Sequence, residues 1–202
     1  MRRLAVFSLA LLALCGWAAP AAAIHENDIA FAPHFGVAAF LGQPGKFAAP
    51  NFGYGLGIGY GTSNWLGVEA DVVYSQSGQV KYGNTGGITF SHLSGGLGPR
   101  FNWNGRYVVP WAAVEAAGSF MEFKSDWFNG SAEHHTNETA HAFGGLGFVG
   151  LDFPIHDEFT IGLAGFASAQ YGSLVFSDKA VINGKIGVYG SCGALIRLTL
   201  IF

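Results

Sequence analysis

The sequence predicts an all-β chain: an eight-stranded antiparallel up-and-down transmembrane β-barrel, preceded by a cleavable signal peptide. Three observations carry that prediction. Half of the 202 residues are hydrophobic and only 11% are charged, a balance that calls for a membrane or a large buried surface. After the first two dozen residues no apolar run approaches the roughly 20 that a spanning helix needs, which leaves the closed barrel as the way to satisfy every backbone group in lipid. Apolar residues also recur with a period of two in segments of about 10 residues, the pattern of barrel strands.

Residues 1–23 read as the signal peptide. Arg2 and Arg3 supply the positive start, Leu4 to Leu14 the apolar core, and Ala21-Ala22-Ala23 an A-x-A cleavage site. Cleavage after Ala23 is expected, with cleavage after Ala21 as the alternative, leaving 24–202 as one barrel domain. The apolar core is too short for a retained anchor helix, and Cys15 follows Leu14 rather than the small residue of a lipoprotein signal. Without the leader the chain has eight basic and 13 acidic residues, a formal charge of −5. No basic patch points to nucleic acid. Cys192 becomes the sole cysteine, which excludes an internal disulfide and a cysteine-based zinc site.

Eight strands are expected, at about 33–41, 51–61, 65–75, 88–101, 107–122, 140–153, 159–170 and 186–202. The second, "NFGYGLGIGYG", sets Phe52, Tyr54, Leu56, Ile58 and Tyr60 on one face and glycines on the other. Such strict alternation cannot be a helix. The third, "WLGVEADVVYS", turns Leu66, Val68, Ala70, Val72 and Tyr74 outward and Gly67, Glu69, Asp71 and Ser75 inward. Alternation is fair in the fourth, fifth and seventh segments and poor in the first and sixth. The last, "GALIRLTLIF", alternates lipid-facing Ala194, Ile196, Leu198, Leu200 and Phe202 with lumen-facing Leu195, Arg197 and Thr199, and is expected to pair with the first strand.

The connections alternate in length. "TSN", "NWNGR" and "PIHDE" are short, whereas those beginning near Gly42, Gln76, Phe123 and Tyr171 are long, as when a chain threads a membrane with both termini on the short-turn side. Asn104-Gly105 is a tight-hairpin pair; a two-residue turn there would set Pro99 opposite Pro110, each removing a ladder hydrogen bond, so a bulge or a different turn register is expected to intervene. Aromatics gather at strand ends. Tyr60, Trp65, Phe101, Tyr107, Phe153, Phe159 and Phe202 lie near short turns, and Phe52, Tyr54, Tyr74, Phe120 and Tyr171 near long loops, which makes two interfacial girdles. The 31 glycines, about twice the usual share, suit the crowded interior of a small barrel and argue against a wide pore.

The signal peptide, "NWLGVEADVVYS", "GGLGPRFNW" leading into "YVVPWAAVEAAG", "FGGLGFVGLDF" and the terminal aromatic together resemble the eight-stranded outer-membrane β-barrels of the OmpA and opacity-protein type. The resemblance covers nearly all of 24–202, although Ala113, Glu115 and Ala117 stand where that family often has glycine, and no attached peptidoglycan-binding domain is expected. It implies an integral outer-membrane protein of a Gram-negative bacterium with both mature termini periplasmic. It further implies contact with outer-membrane lipids and lipopolysaccharide, recognition of the strand ending at Phe202 by the outer-membrane assembly machinery, and a host or surface ligand for the four long loops. Members include adhesins, anchors, small-molecule binders and a few enzymes.

Three functional readings remain open. Glu69, Asp71, Arg100, Glu115, Asp152 and Arg197 are expected to face the lumen, where a hydrogen-bonded, salt-bridged plug would make the protein a non-enzymatic scaffold; four acids against two arginines leave that plug unbalanced. An open lumen would make a narrow porin-like channel. In "SHLSGG", His92 and Ser94 share a strand face with Glu115 on the neighbouring strand, a set similar to the base, nucleophile and orienting acid of outer-membrane lipid A deacylases, although parity turns His92 and Ser94 inward. Glu133, His134, His135, Glu138 and His141 are expected in a solvated surface loop; a metal would require three or four of them to converge. No catalytic, cofactor or metal site and no cofactor is therefore assigned.

Overall fold

The structure, a computed structural model, describes residues 24–42, 49–77, 80–82, 86–103, 105, 107–128, 133–175 and 185–202. The expected leader lies outside these residues. The strands are β1 (Ile29–Gly42), β2 (Asn51–Gly61), β3 (Leu66–Gln76), β4 (Val80–Tyr82), β5 (Gly86–Asn102), β6 (Val109–Phe128), β7 (Glu133–His156), β8 (Phe159–Val175) and β9 (Lys185–Ile201). Hydrogen bonding runs in the order β3-β2-β1-β9-β8-β7-β6-β5, and β3 pairs with β5. Eight strands thus close into an antiparallel barrel. β4 is a three-residue addition that pairs with the upper part of β5, beyond the point where β3 stops.

The first and last strands meet as the sequence predicts. Ala30 pairs with Ile201 and Phe35 with Ile196, and Ile29 and Phe202 exchange backbone hydrogen bonds of 3.1 and 2.9 Å. No sheet edge is left there for another chain to add to. Alternation places Phe31, Phe35, Ile58, Val72, Leu163 and Ile196 outside. Inside, Trp111, Leu146, Phe148, Phe166 and Leu195 form the core with small alanines. Trp65 stacks on Phe101 at the short-turn end, and Tyr54 packs against Tyr74 at the other, which puts two of the expected girdle pairs in contact.

Three expectations are corrected and one open register is resolved. β1 starts at Ile29 rather than near 33, because Ala30 and Ala32 are inward small residues whose apolar character hides the alternation. The tight turn does not set the register of β5 against β6: residues 103–108 separate the strands, Asn102 pairs with Trp111, and the Trp103 N–H bonds the Pro110 carbonyl at 2.9 Å. Pro99 and Pro110 are therefore not opposite, the conflict between them disappears, and Asn104 itself lies outside the described residues. The connection expected to be long from Phe123 is mostly strand, since β6 and β7 stay paired up to Phe128 and Glu133. The loop reading of Glu133 to His141 fails for the same reason: polar residues toward this end of the barrel lose the apolar alternation but keep the backbone ladder. These two strands have 20 and 24 residues, against 11 each in β2 and β3.

Candidate functional site

All six ionisable side chains placed on the inward parity are buried in the lumen. Glu69 is the hub. Arg100 Nη1 donates to Glu69 Oε2 at 3.1 Å, and Arg197 Nη2 donates to Glu69 Oε1. Arg100 also reaches Asp152 Oδ2 and Asn102 Oδ1, each at 2.8 Å. Both guanidinium carbons lie over the Trp111 ring, 4.1 and 4.7 Å from its centroid. Removing such ions from water costs several kcal/mol each, which only close pairing and full hydrogen bonding offset; the indole face adds cation–π attraction.

Glycines let side chains from non-adjacent strands meet. Inward positions of β2 carry no side chain, so His34 on β1 reaches across to Asp71 on β3, with Nδ1 3.8 Å from Oδ1. A Cβ at Gly57 would stand 2.6 Å from Asp71 Oδ1. Gly96 on β5 does the same between β3 and β6: it pairs with Asp71, and a Cβ there would lie 2.8 Å from that of Glu115, so the two acids face each other across it. All four of their carboxyl oxygens are buried with no hydrogen-bond partner among the described residues. The imbalance of four acids against two arginines is thus located at this pair.

Nearer the long-loop end the lumen is polar but neutral. His92 Nε2 donates to Gln170 Oε1 at 2.9 Å, and its Nδ1 accepts from the Ser191 hydroxyl at 3.3 Å. Ser168 Oγ accepts the Ser191 N–H at 2.8 Å, and Ser119 Oγ lies 3.2 Å from Tyr189 OH. Phe40, Phe90 and Phe123 stack above, with centroids 6.0 and 5.1 Å apart in succession.

The deacylase-like set is not assembled. Both His92 nitrogens are engaged elsewhere, and Ser94 Oγ is buried with no hydrogen-bond partner among the described residues. Ser94 pairs with Ser119, four residues along β6 from Glu115, or about 13 Å of strand. On β7, His135 Nδ1 lies 2.7 Å from Asp126 Oδ1 and the His141 ring packs on Phe120. Among the described residues no three of His, Cys, Asp and Glu come together as a metal site would require. Sequence reasoning missed His34, Asn102, Ser168, Gln170 and Ser191. Inward parity on β8 and β9 was the signal that could have found the last three.

A closed barrel with an apolar exterior and a filled polar lumen is a transmembrane β-barrel. The chain belongs to the outer membrane protein beta-barrel domain family, whose profile matches residues 7–188. Among solved structures it is similar to Ail, the attachment invasion locus protein of Yersinia pestis, at 15% identity and a TM-score of 0.53, covering 88% of this chain and 99% of that one. The complex of Ail with the heparin analogue sucrose octasulfate matches at 14% and 0.52, covering 88% and 99%. OprG from Pseudomonas aeruginosa matches at 14% and 0.55, covering 88% and 97%. Comparison with functionally curated proteins returned no match.

Proposed function

We propose that this outer-membrane barrel is a non-enzymatic, non-conducting scaffold that supports envelope structure or surface interaction through its long-loop end. The continuous filling of the lumen carries the reading: the Arg100, Glu69, Arg197 and Trp111 plug is followed by Phe148, Phe166 and Leu195 and then by the His92 network. An eight-stranded interior is only just wide enough for side chains, and here they interlock from opposite walls. In this reading the short turns and both mature termini are periplasmic, and β6 and β7, the longest strands among the described residues, extend outward. Outward side chains on β6 alternate in sign, Glu122, Lys124 and Asp126, with His135 of β7 against Asp126, which suits a partner held by mixed polar contacts. That Ail was crystallised with sucrose octasulfate is in keeping with a surface ligand at this end, although the hairpin here has no net basic face. The outer apolar band would meet membrane lipids and lipopolysaccharide, and the strand ending at Phe202 would engage the assembly machinery.

Planar-bilayer recording tests the closed lumen: no channel steps are expected, and regular openings would overturn the reading. Replacing residues 123–138 with a tight turn should abolish whole-cell surface binding while leaving heat-modifiable gel migration intact. Release of acyl chains from lipid A that disappears in Ser94→Ala would instead restore the enzymatic alternative. Deleting Phe202 should lower the yield of inserted protein more than the stability of barrels that do assemble.

A further inference from the structure

We propose that residues 24–28 are a cork, with the Ile24 side chain sealing the short-turn mouth of the lumen and a Tyr60–Asn27 latch holding it in place. Ile24 precedes the first strand, where a chain leaving a barrel ordinarily enters water, yet it is only 4% exposed. Its side chain occupies the inward face of β2. A Cβ at Gly59 would lie 3.5 Å from Ile24 Cδ1 and 3.6 Å from the Ala30 Cβ, and one at Gly61 would lie 3.0 Å from Ile24 Cγ2 and collide with the His25 carbonyl. These two glycines thus leave the space that the cork fills.

The backbone is bent to aim it. Asn27 has φ +73°, a left-handed conformation that Asn tolerates better than most residues. The bend is tied down from both sides: the Asn27 N–H donates to the Gly61 carbonyl at 2.8 Å and the Gly61 N–H to the Asp28 carbonyl at 2.9 Å. The His25 N–H donates to Asp28 Oδ2 at 2.7 Å, and Tyr60 OH donates to Asn27 Oδ1 at 3.0 Å. A terminal segment so fully hydrogen-bonded is held in one position rather than left to fray.

The position has a consequence for the plug. Gly59 pairs with Glu69 across β2 and β3, and Glu69 Oε1 leans toward Gly57, 3.0 Å from where a Cβ there would stand, so the cork lies on the short-turn side of the carboxylate that both arginines share. Keeping water out of that mouth preserves the low dielectric in which the ion pairs are strong. This goes beyond the closed-scaffold reading by naming the seal at one end. Bilayer conductance reports on the whole lumen; the labelling below reports on this mouth alone.

The test uses a chain starting at Ile24 after its initiator Met is removed, with Ala30→Cys in a Cys192→Ala background, which leaves one thiol, beside Ile24, labelled in micelles by a polar maleimide. With Ile24 present, labelling should be slow. Ile24→Gly should accelerate it about tenfold or more, Tyr60→Phe by less, and Ile24→Leu should restore the slow rate, as expected for local opening of a sealed site. Fast labelling with Ile24 in place, or equal rates in Ile24→Gly and its parent, overturns the proposal. If Ala30→Cys does not fold, hydrogen exchange at the Asn27 and Gly61 amides decides: protection should fall about tenfold or more in Ile24→Gly, and unchanged protection would sink the idea.

Discussion

The lumen contains two polar tiers that meet the same burial problem differently. Near the short turns, charge is buried: Glu69 is shared by Arg100 and Arg197, with Asp152 and Trp111 completing the contacts. Near the long loops, His92, Gln170, Ser168 and Ser191 are linked by neutral hydrogen bonds. A charged hub gains more from each contact and loses more when one is removed, because the remaining ion cannot return to water. A neutral network has smaller stakes. Between the tiers, Asp71 and Glu115 belong to neither, and they are where the sign of a mutational effect should change.

The comparison can be broken at its strongest point first. Glu69→Ala strands two buried guanidiniums and should destabilise the barrel by ~3–5 kcal/mol, read as a lower urea midpoint of heat-modifiable migration; a loss no larger than that of His92→Leu would erase the distinction between tiers. Trp111→Leu removes the ring beneath both arginines and leaves a partial cavity. About 2–3 kcal/mol should be lost, seen in the same titration. His92→Leu leaves Gln170 and Ser191 without their shared partner and should cost ~1–2 kcal/mol. Asp71→Asn should act in the opposite direction, stabilising the barrel by about 1 kcal/mol and so raising the midpoint, because an amide can donate to Glu115 where a second carboxylate cannot. Destabilisation by Asp71→Asn would mean that His34 or an unseen cation depends on the carboxylate.

Much of this arrangement was legible in the sequence, and unevenly so. Parity in "WLGVEADVVYS" and "GALIRLTLIF" sent Glu69, Asp71 and Arg197 inward, and Arg100, Glu115 and Asp152 followed, because a charged residue on a lipid-facing barrel wall is too costly to be the alternative. Which acid meets which arginine was not legible. Pairing depends on register around the whole barrel, and the Asn104-Gly105 pair left the β5–β6 register open, because the two-residue turn it favours would set Pro99 opposite Pro110. His34 escaped notice because inward Ala30 and Ala32 look as apolar as outward Phe31 and Phe35. The sixth segment looked irregular for a related reason: Leu146 and Phe148 point into the lumen, so apolar residues occupy both faces. The polar tier of β8 and β9 was hidden by its neutrality, since Ser168, Gln170 and Ser191 carry no charge to betray a buried position.

The unequal strand lengths give this molecule a heading in the plane of the membrane. β6 exceeds β2 by nine residues, about 30 Å of additional strand path, all on one side of the circumference. Among the described residues β6 and β7 are the longest strands and β5, β8 and β9 have 17 residues each, so the wall is uneven around the circumference. In the orientation proposed above, a soluble partner would meet the short β2–β3 wall and the long β6–β7 wall as two different surfaces. Rotation about the barrel axis, which is without consequence for a level cylinder, thus decides what this protein presents to its surroundings.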